Sequence, residues 1–165
     1  MELIESLRHQ FDYNEWANQQ WFVLLKYSSN QSQNAVRVFA HLLLTEKMYL
    51  LRILHGEDTT GFDFWRYSQL DECEMLLADN QVAYSNFFRD LTESDLERVA
   101  RYKNSRGDEY CNTFRQMLTH VLLHSAYHRG QVASAVRAEG GAPANTDYIA
   151  YLRRGKLSEG EFPEA

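Results

Sequence analysis

From Glu2 to Tyr27 the apolar residues Leu3, Ile4, Leu7, Phe11, Leu24 and Leu25 recur at helical spacing, and neither Gly nor Pro intervenes. This predicts a first helix that ends in the polar run Ser28–Ser32. A second periodic stretch runs from about Asn34, a suitable N-cap, to about Leu54, with Gly56 as its stop. A third spans about Asp71 to Asp90, with Met75, Leu76, Val82, Ala83, Phe87 and Phe88 as expected core. A fourth begins at Asn112-Thr113 and continues to about Glu139, where Gly140-Gly141 ends it. Thr146-Asp147 is expected to cap a short fifth helix, Tyr148 to Leu152, docked by its aromatics on the bundle end.

The segments between are less regular. Glu57 to Leu70 is rich in acids and aromatics (Phe62, Phe64, Trp65, Tyr67), side chains costly to leave in water, so this loop is expected to fold over one end of the bundle or to make a contact. Leu91 to Asn112 reads as an extended connection or a small hairpin, with Arg98, Arg101 and Arg106 on a solvated rim. The pattern therefore predicts an all-α fold: a four-helix bundle over residues 1–152, with a short C-terminal helix. Residues 153–165 are expected to form a loose tail.

Composition narrows the class. The chain has 165 residues, of which 44% are hydrophobic, enough for one self-sufficient core. Two prolines and eight glycines suit long helices better than a many-turned sheet. A net charge of −6 argues against a nucleic-acid binder, which would carry a basic face. No apolar run approaches a membrane span, and the N-terminus lacks a signal peptide's apolar centre, so a cytoplasmic protein is expected. Cys73 and Cys111 form no CxxC pattern and are expected to be reduced.

The chemistry concentrates in Met117–Gln131, MLTHVLLHSAYHRGQ. His120, His124 and His128 follow one another at four-residue steps and so share a helix face. Two imidazoles at that spacing can converge on one borderline divalent ion such as zinc or nickel, but a third ligand must come from elsewhere. His41, the one histidine in an apolar helix interior outside the cluster, is the best candidate. The competing reading makes it an ordinary core histidine. A three-His set leaves coordination positions open, as catalytic sites do, and could activate a water or thiol.

His120, one turn too early, is assigned a supporting role. Gln131 could bond a ligand's outer nitrogen or a metal-bound water. Arg129 is expected on the outer flank, near an anionic substrate or an acidic neighbour. Asn14 and Asn18, one turn apart on the first helix, could reach across the bundle, the competing reading being ordinary solvated amides. Arg52 is expected to pair with a carboxylate of a neighbouring helix, and His55 to sit as a last-turn cation.

The segment His124-Ser125-Ala126-Tyr127-His128-Arg129-Gly130-Gln131, followed by Gly141-Ala142-Pro143 and Thr146-Asp147-Tyr148-Ile149, closely resembles the DinB/YfiT-like metalloenzyme family. The resemblance extends to Tyr13-Asn14-Glu15-Trp16-Ala17-Asn18 and to His41-Leu42-Leu43-Leu44-Thr45-Glu46, and covers about Tyr13 to Arg153. It implies a four-helix bundle holding zinc or nickel through His41, His124 and His128, and a homodimer. It also implies kinship with S-transferases and an isomerase that use low-molecular-weight thiols. Two functions follow as expectations: a metal-dependent enzyme activating a thiol or water, or a non-catalytic helical scaffold with structural histidines. The second draws on the lack of an acidic residue one turn from the histidines of the fourth helix.

Overall fold

The structure is a computed structural model that describes residues 3–28 and 32–154. Four long helices form: α1 (Leu3–Tyr27), α2 (Gln33–His55), α3 (Leu70–Asp90) and α4 (Phe114–Ala138). A 3-10 turn (Glu93–Glu97) and a hairpin of β1 (Val99–Lys103) and β2 (Glu109–Thr113) join α3 to α4, and α5 (Tyr148–Arg153) closes the described chain. The hairpin is the smaller of the alternatives open for Leu91–Asn112. The expected tail falls, from residue 155 on, outside the described residues, as do residues 29–31 of the polar run.

Helix boundaries follow local chemistry. The α2 cap is Ser32 rather than Asn34, its hydroxyl accepting from the Ala35 N–H at 3.2 Å. At α4, Thr113 and Gln116 form a capping box at the point where β2 ends. Gly56 stops α2 in the left-handed conformation (φ 64°), and its amide bonds the Arg52 carbonyl. A Cβ there would lie 2.7 Å from the Arg101 carbonyl oxygen, so glycine also lets the hairpin dock on α2. Asp147 takes the capping position of α5 without a side-chain bond; Thr146 instead serves Trp21 and Tyr13.

α2 packs on α3 and α4, and α1 closes the ring against the same two helices. Two apolar clusters fill the interior. One unites Trp21, Phe39, Leu43, Leu76 and Val132; the other unites Leu7, Phe11, Ile53, Phe88, Met117 and Val121. α1 and α4 run from the second cluster to the first, whereas α2 and α3 run from the first to the second. Two successive parallel helices require the connection between them to climb back along the bundle. That connection is the aromatic loop, and its course decides what covers the histidines. Its Phe62, Phe64 and Tyr67 pack against the first cluster, along the bundle's flank rather than on its end.

Three further expectations are corrected. Met75 and Val82 are exposed, because the inward stripe of α3 is Cys73, Leu76, Leu77, Asn80, Tyr84 and Phe88. That stripe includes an asparagine, which hydrophobic periodicity alone passes over. Arg52, though buried, meets aromatic rings instead of a carboxylate: Tyr102 at 4.6 Å, Tyr49 at 4.8 Å and Phe64 at 5.6 Å. Its Nη2 donates to Thr59 Oγ1 at 2.7 Å, and that hydroxyl bonds the Lys103 carbonyl, pinning the start of the loop to β1. The α5 aromatics dock along α1, on His9, Tyr13 and Trp16.

Candidate metal centre

Between the two apolar clusters lies a polar layer to which every long helix contributes. α1 supplies Asn14 and Asn18, α2 supplies Glu46, α3 supplies Asn80, and α4 supplies Ser125 and Arg129; all are buried. Glu46 Oε1 accepts from Asn14 Nδ2 (2.7 Å), Asn18 Nδ2 (2.9 Å) and Ser125 Oγ (2.7 Å). Asn80 Nδ2 reaches Oε2 at 3.3 Å and the Leu43 carbonyl at 2.8 Å. On the far side of the amides, Arg129 Nη1 donates to Asn14 Oδ1 (2.6 Å) and Asn18 Oδ1 (2.9 Å). Asn14 and Asn18 thus each link a buried cation to a buried anion without direct contact between the two.

Arg129 therefore points into the bundle, contrary to the outer position expected of it. Following His128 by one residue, it lies about 100° further round α4, on the side where α1 packs. Asn14 and Asn18 do reach across the bundle. Ser125 and Arg129 each follow a histidine of the stripe by one residue, so the polar layer fixes the register at which α4 presents His124 and His128.

His41, His124 and His128 come together: one ligand nitrogen from each lies within 4.8 Å of the other two. Their ring centroids are 5.3 Å (His41–His124), 4.6 Å (His41–His128) and 4.3 Å (His124–His128) apart. His41 Nδ1 lies 3.0 Å from the Phe64 carbonyl oxygen. A carbonyl only accepts, so that nitrogen carries the hydrogen and Nε2 keeps its lone pair. His128 Nδ1 is held in the same way by Gln131 Oε1 at 2.8 Å. Among the described residues His124 Nδ1 is buried with no hydrogen-bond partner, a cost a bound cation would offset. Two oriented imidazoles and a third with an unsatisfied nitrogen fit a borderline divalent ion.

Trp65 completes the enclosure. Its ring stacks on His41 at 3.8 Å with an interplanar angle of 4°, and lies 6.1 Å from the His128 ring. His120 stands apart from the three, exposed, with its ring 4.6 Å from Tyr49 and 5.4 Å from His124. Sequence reasoning missed Glu46, Asn80, Ser125 and the contacts of Phe64 and Trp65. The available signal for Glu46 was its position as the one acid inside a long apolar helix.

Burial pushes all three histidines below their ordinary pKa of 6.5, His124 to about 3, where the neighbouring His128 and His41 add repulsion. Neutral rings with free lone pairs follow at physiological pH. The shift has a consequence for stability without metal. The unfolded chain takes up these protons near pH 6.5, whereas the folded chain resists until far lower pH. Stability is therefore fully present above about pH 6.5 and falls as pH drops toward 3. Chelator-treated protein should show a lower urea midpoint at about pH 5 than at about pH 7.5. An unchanged midpoint would mean the rings protonate freely in the native state.

No described helix is long and apolar enough to cross a membrane. Cys73 is buried and Cys111 exposed, both as free thiols. Among curated proteins, Protein DinB of Bacillus subtilis (strain 168) is 26% identical over 159 residues, covering 86% of this chain and 91% of the relative. A model of the DinB family matches residues 3–159, nearly the whole sequence and every element of the bundle, and on that match the chain belongs to the DinB family.

Proposed function

We propose that this protein is a divalent-metal enzyme that activates a low-molecular-weight thiol or a water molecule at His41, His124 and His128. The observation that carries this reading is the convergence of three ligand nitrogens from two helices within 4.8 Å. A divalent ion there, zinc or nickel by the preference of imidazole donors, would supply a Lewis acid that brings a bound thiol or water near ionisation at neutral pH.

The chain's own residues do the rest. The Phe64 carbonyl and Gln131 amide oxygen set the tautomers of His41 and His128, so that both offer Nε2. Trp65 covers one face of His41 and keeps water from that side. The Glu46–asparagine–Arg129 layer holds α4 in register beneath the histidines. Three protein ligands leave room for a reacting molecule, which favours catalysis over a purely structural ion. Thiol transfer is preferred to hydrolysis because of the kinship with thiol-using enzymes that the sequence motifs imply.

Metal analysis of protein purified without chelator, followed by a screen of electrophiles against several small thiols, tests the reading. Near-stoichiometric zinc or nickel is expected, with turnover that disappears in a folded His41→Ala variant. Metal-free protein, or turnover that survives the substitution, would leave the helical scaffold as the better reading.

A further inference from the structure

The polar layer has a second outlet, on the opposite side of Glu46 from Arg129. Between α1 and α3 lies a cavity of about 400 Å³, within the range of small-molecule sites. Phe11, Leu77, Tyr84 and Phe88 form its apolar wall, and Glu46 lines its depth. Glu46 is 4% exposed, and its two oxygens are used unequally. Among the described residues Oε1 takes three donors and Oε2 one, the 3.3 Å contact from Asn80, so a carboxylate with about four acceptor positions has room for a further donor at Oε2.

A second carboxyl, Glu15, lines the same space half-buried, held by Gln81 Nε2 at 2.6 Å. Burial, with Asp12 beside it, pushes Glu15 above the usual carboxylate range, so a cation placed at this carboxyl would favour its ionised form. Two arginines also line the space, outnumbered by the three carboxyls Asp12, Glu15 and Glu46. Arg8 donates to the Phe88 carbonyl at 2.7 Å, and Arg89 meets Asp90 at 3.5 Å.

We propose that this cavity binds a small organic ammonium ion, its charged head against Glu46 and Glu15 and its apolar body against Phe11, Tyr84 and Phe88. The aromatic wall suits such a ligand twice over, burying its carbon skeleton and offering ring faces to its charge. The site shares no residue with the three histidines and stands whether or not they hold a metal.

The test is calorimetric titration of chelator-treated, full-length protein with 2-phenylethylamine, with 2-phenylethanol as the neutral counterpart. Saturable binding of the amine is expected, weakened about tenfold or more in the alcohol, which lacks the charge. Ser85→Trp, an exposed position on the α3 rim of the cavity, should abolish binding while the helical circular dichroism is retained. Glu15→Gln should weaken the amine and leave the alcohol unchanged, and is the decisive variant if Ser85→Trp does not fold. His124→Ala should bind the amine as the parent does. Equal affinity for amine and alcohol, no saturation, or undiminished amine binding in folded Ser85→Trp or Glu15→Gln would overturn the proposal.

Discussion

Arg129→Met should destabilise the fold by about 3–5 kcal/mol, the usual cost of removing one member of a buried charge pair. The guanidinium is 4% exposed and serves both asparagines through one nitrogen. Without it, Asn14 Oδ1 and Asn18 Oδ1 lose their donor, and Glu46 loses the buried cation that the two amides connect to it. Arg129→Lys should recover only part of the loss, because an ammonium is more strongly hydrated than a guanidinium and costs more to bury. Urea unfolding of Arg129→Met, Glu46→Gln and the double variant gives the coupling directly. The double variant should lose less than the sum of the single losses. Strict additivity, or a loss in Arg129→Met below about 1 kcal/mol, would show that the amide-bridged pair is not a unit.

His124→Ala should weaken zinc binding by more than 100-fold, beyond the roughly 10–100-fold typical of changes to groups that only orient a ligand. Gln131→Ala belongs to that milder class, since it removes the acceptor on His128 Nδ1 and leaves every candidate ligand nitrogen in place. Competition against a chelator of known affinity measures both. The ordering is the informative result. If the two variants were equally weakened, the 2.8 Å contact of Gln131 would matter as much as a coordinating nitrogen. If His124→Ala bound zinc as tightly as the parent, the buried Nδ1 without a partner would need another explanation.

The sequence pattern carried the helices well and the packing between them poorly. Gly56, Thr113 and Gly140 mark helix ends because capping chemistry is local, and the four-residue steps of His120, His124 and His128 mark a face because helical geometry is local. Which side of that stripe meets α1 depends on how two helices far apart in the chain pack. Arg129 was accordingly expected outside and lies inside. Arg52 failed for a related reason: a buried cation wants compensation, but the sequence does not say whether acids or aromatic rings provide it. Val82 shows the limit from the apolar side, since its exposed position follows from Asn80 being drawn inward to Glu46. The aromatic loop was expected to cover something, but its path over the histidines follows from the parallel run of α2 and α3, which no local signal encodes.

The bond between His41 and the Phe64 carbonyl ties the candidate metal site to the aromatic loop. Thr59 anchors the start of that stretch, and Glu72 bonds the Ser68 and Gln69 amides at its end. Between them, Phe64 and Trp65 meet His41 through both a hydrogen bond and a stacked ring. Thermodynamic reciprocity then applies: by whatever factor an occupied histidine site favours the closed loop, a molecule that draws the loop away lowers the site's affinity by the same factor. If the three histidines hold a metal, a molecule that captured Trp65 would weaken its binding without touching any of the imidazoles.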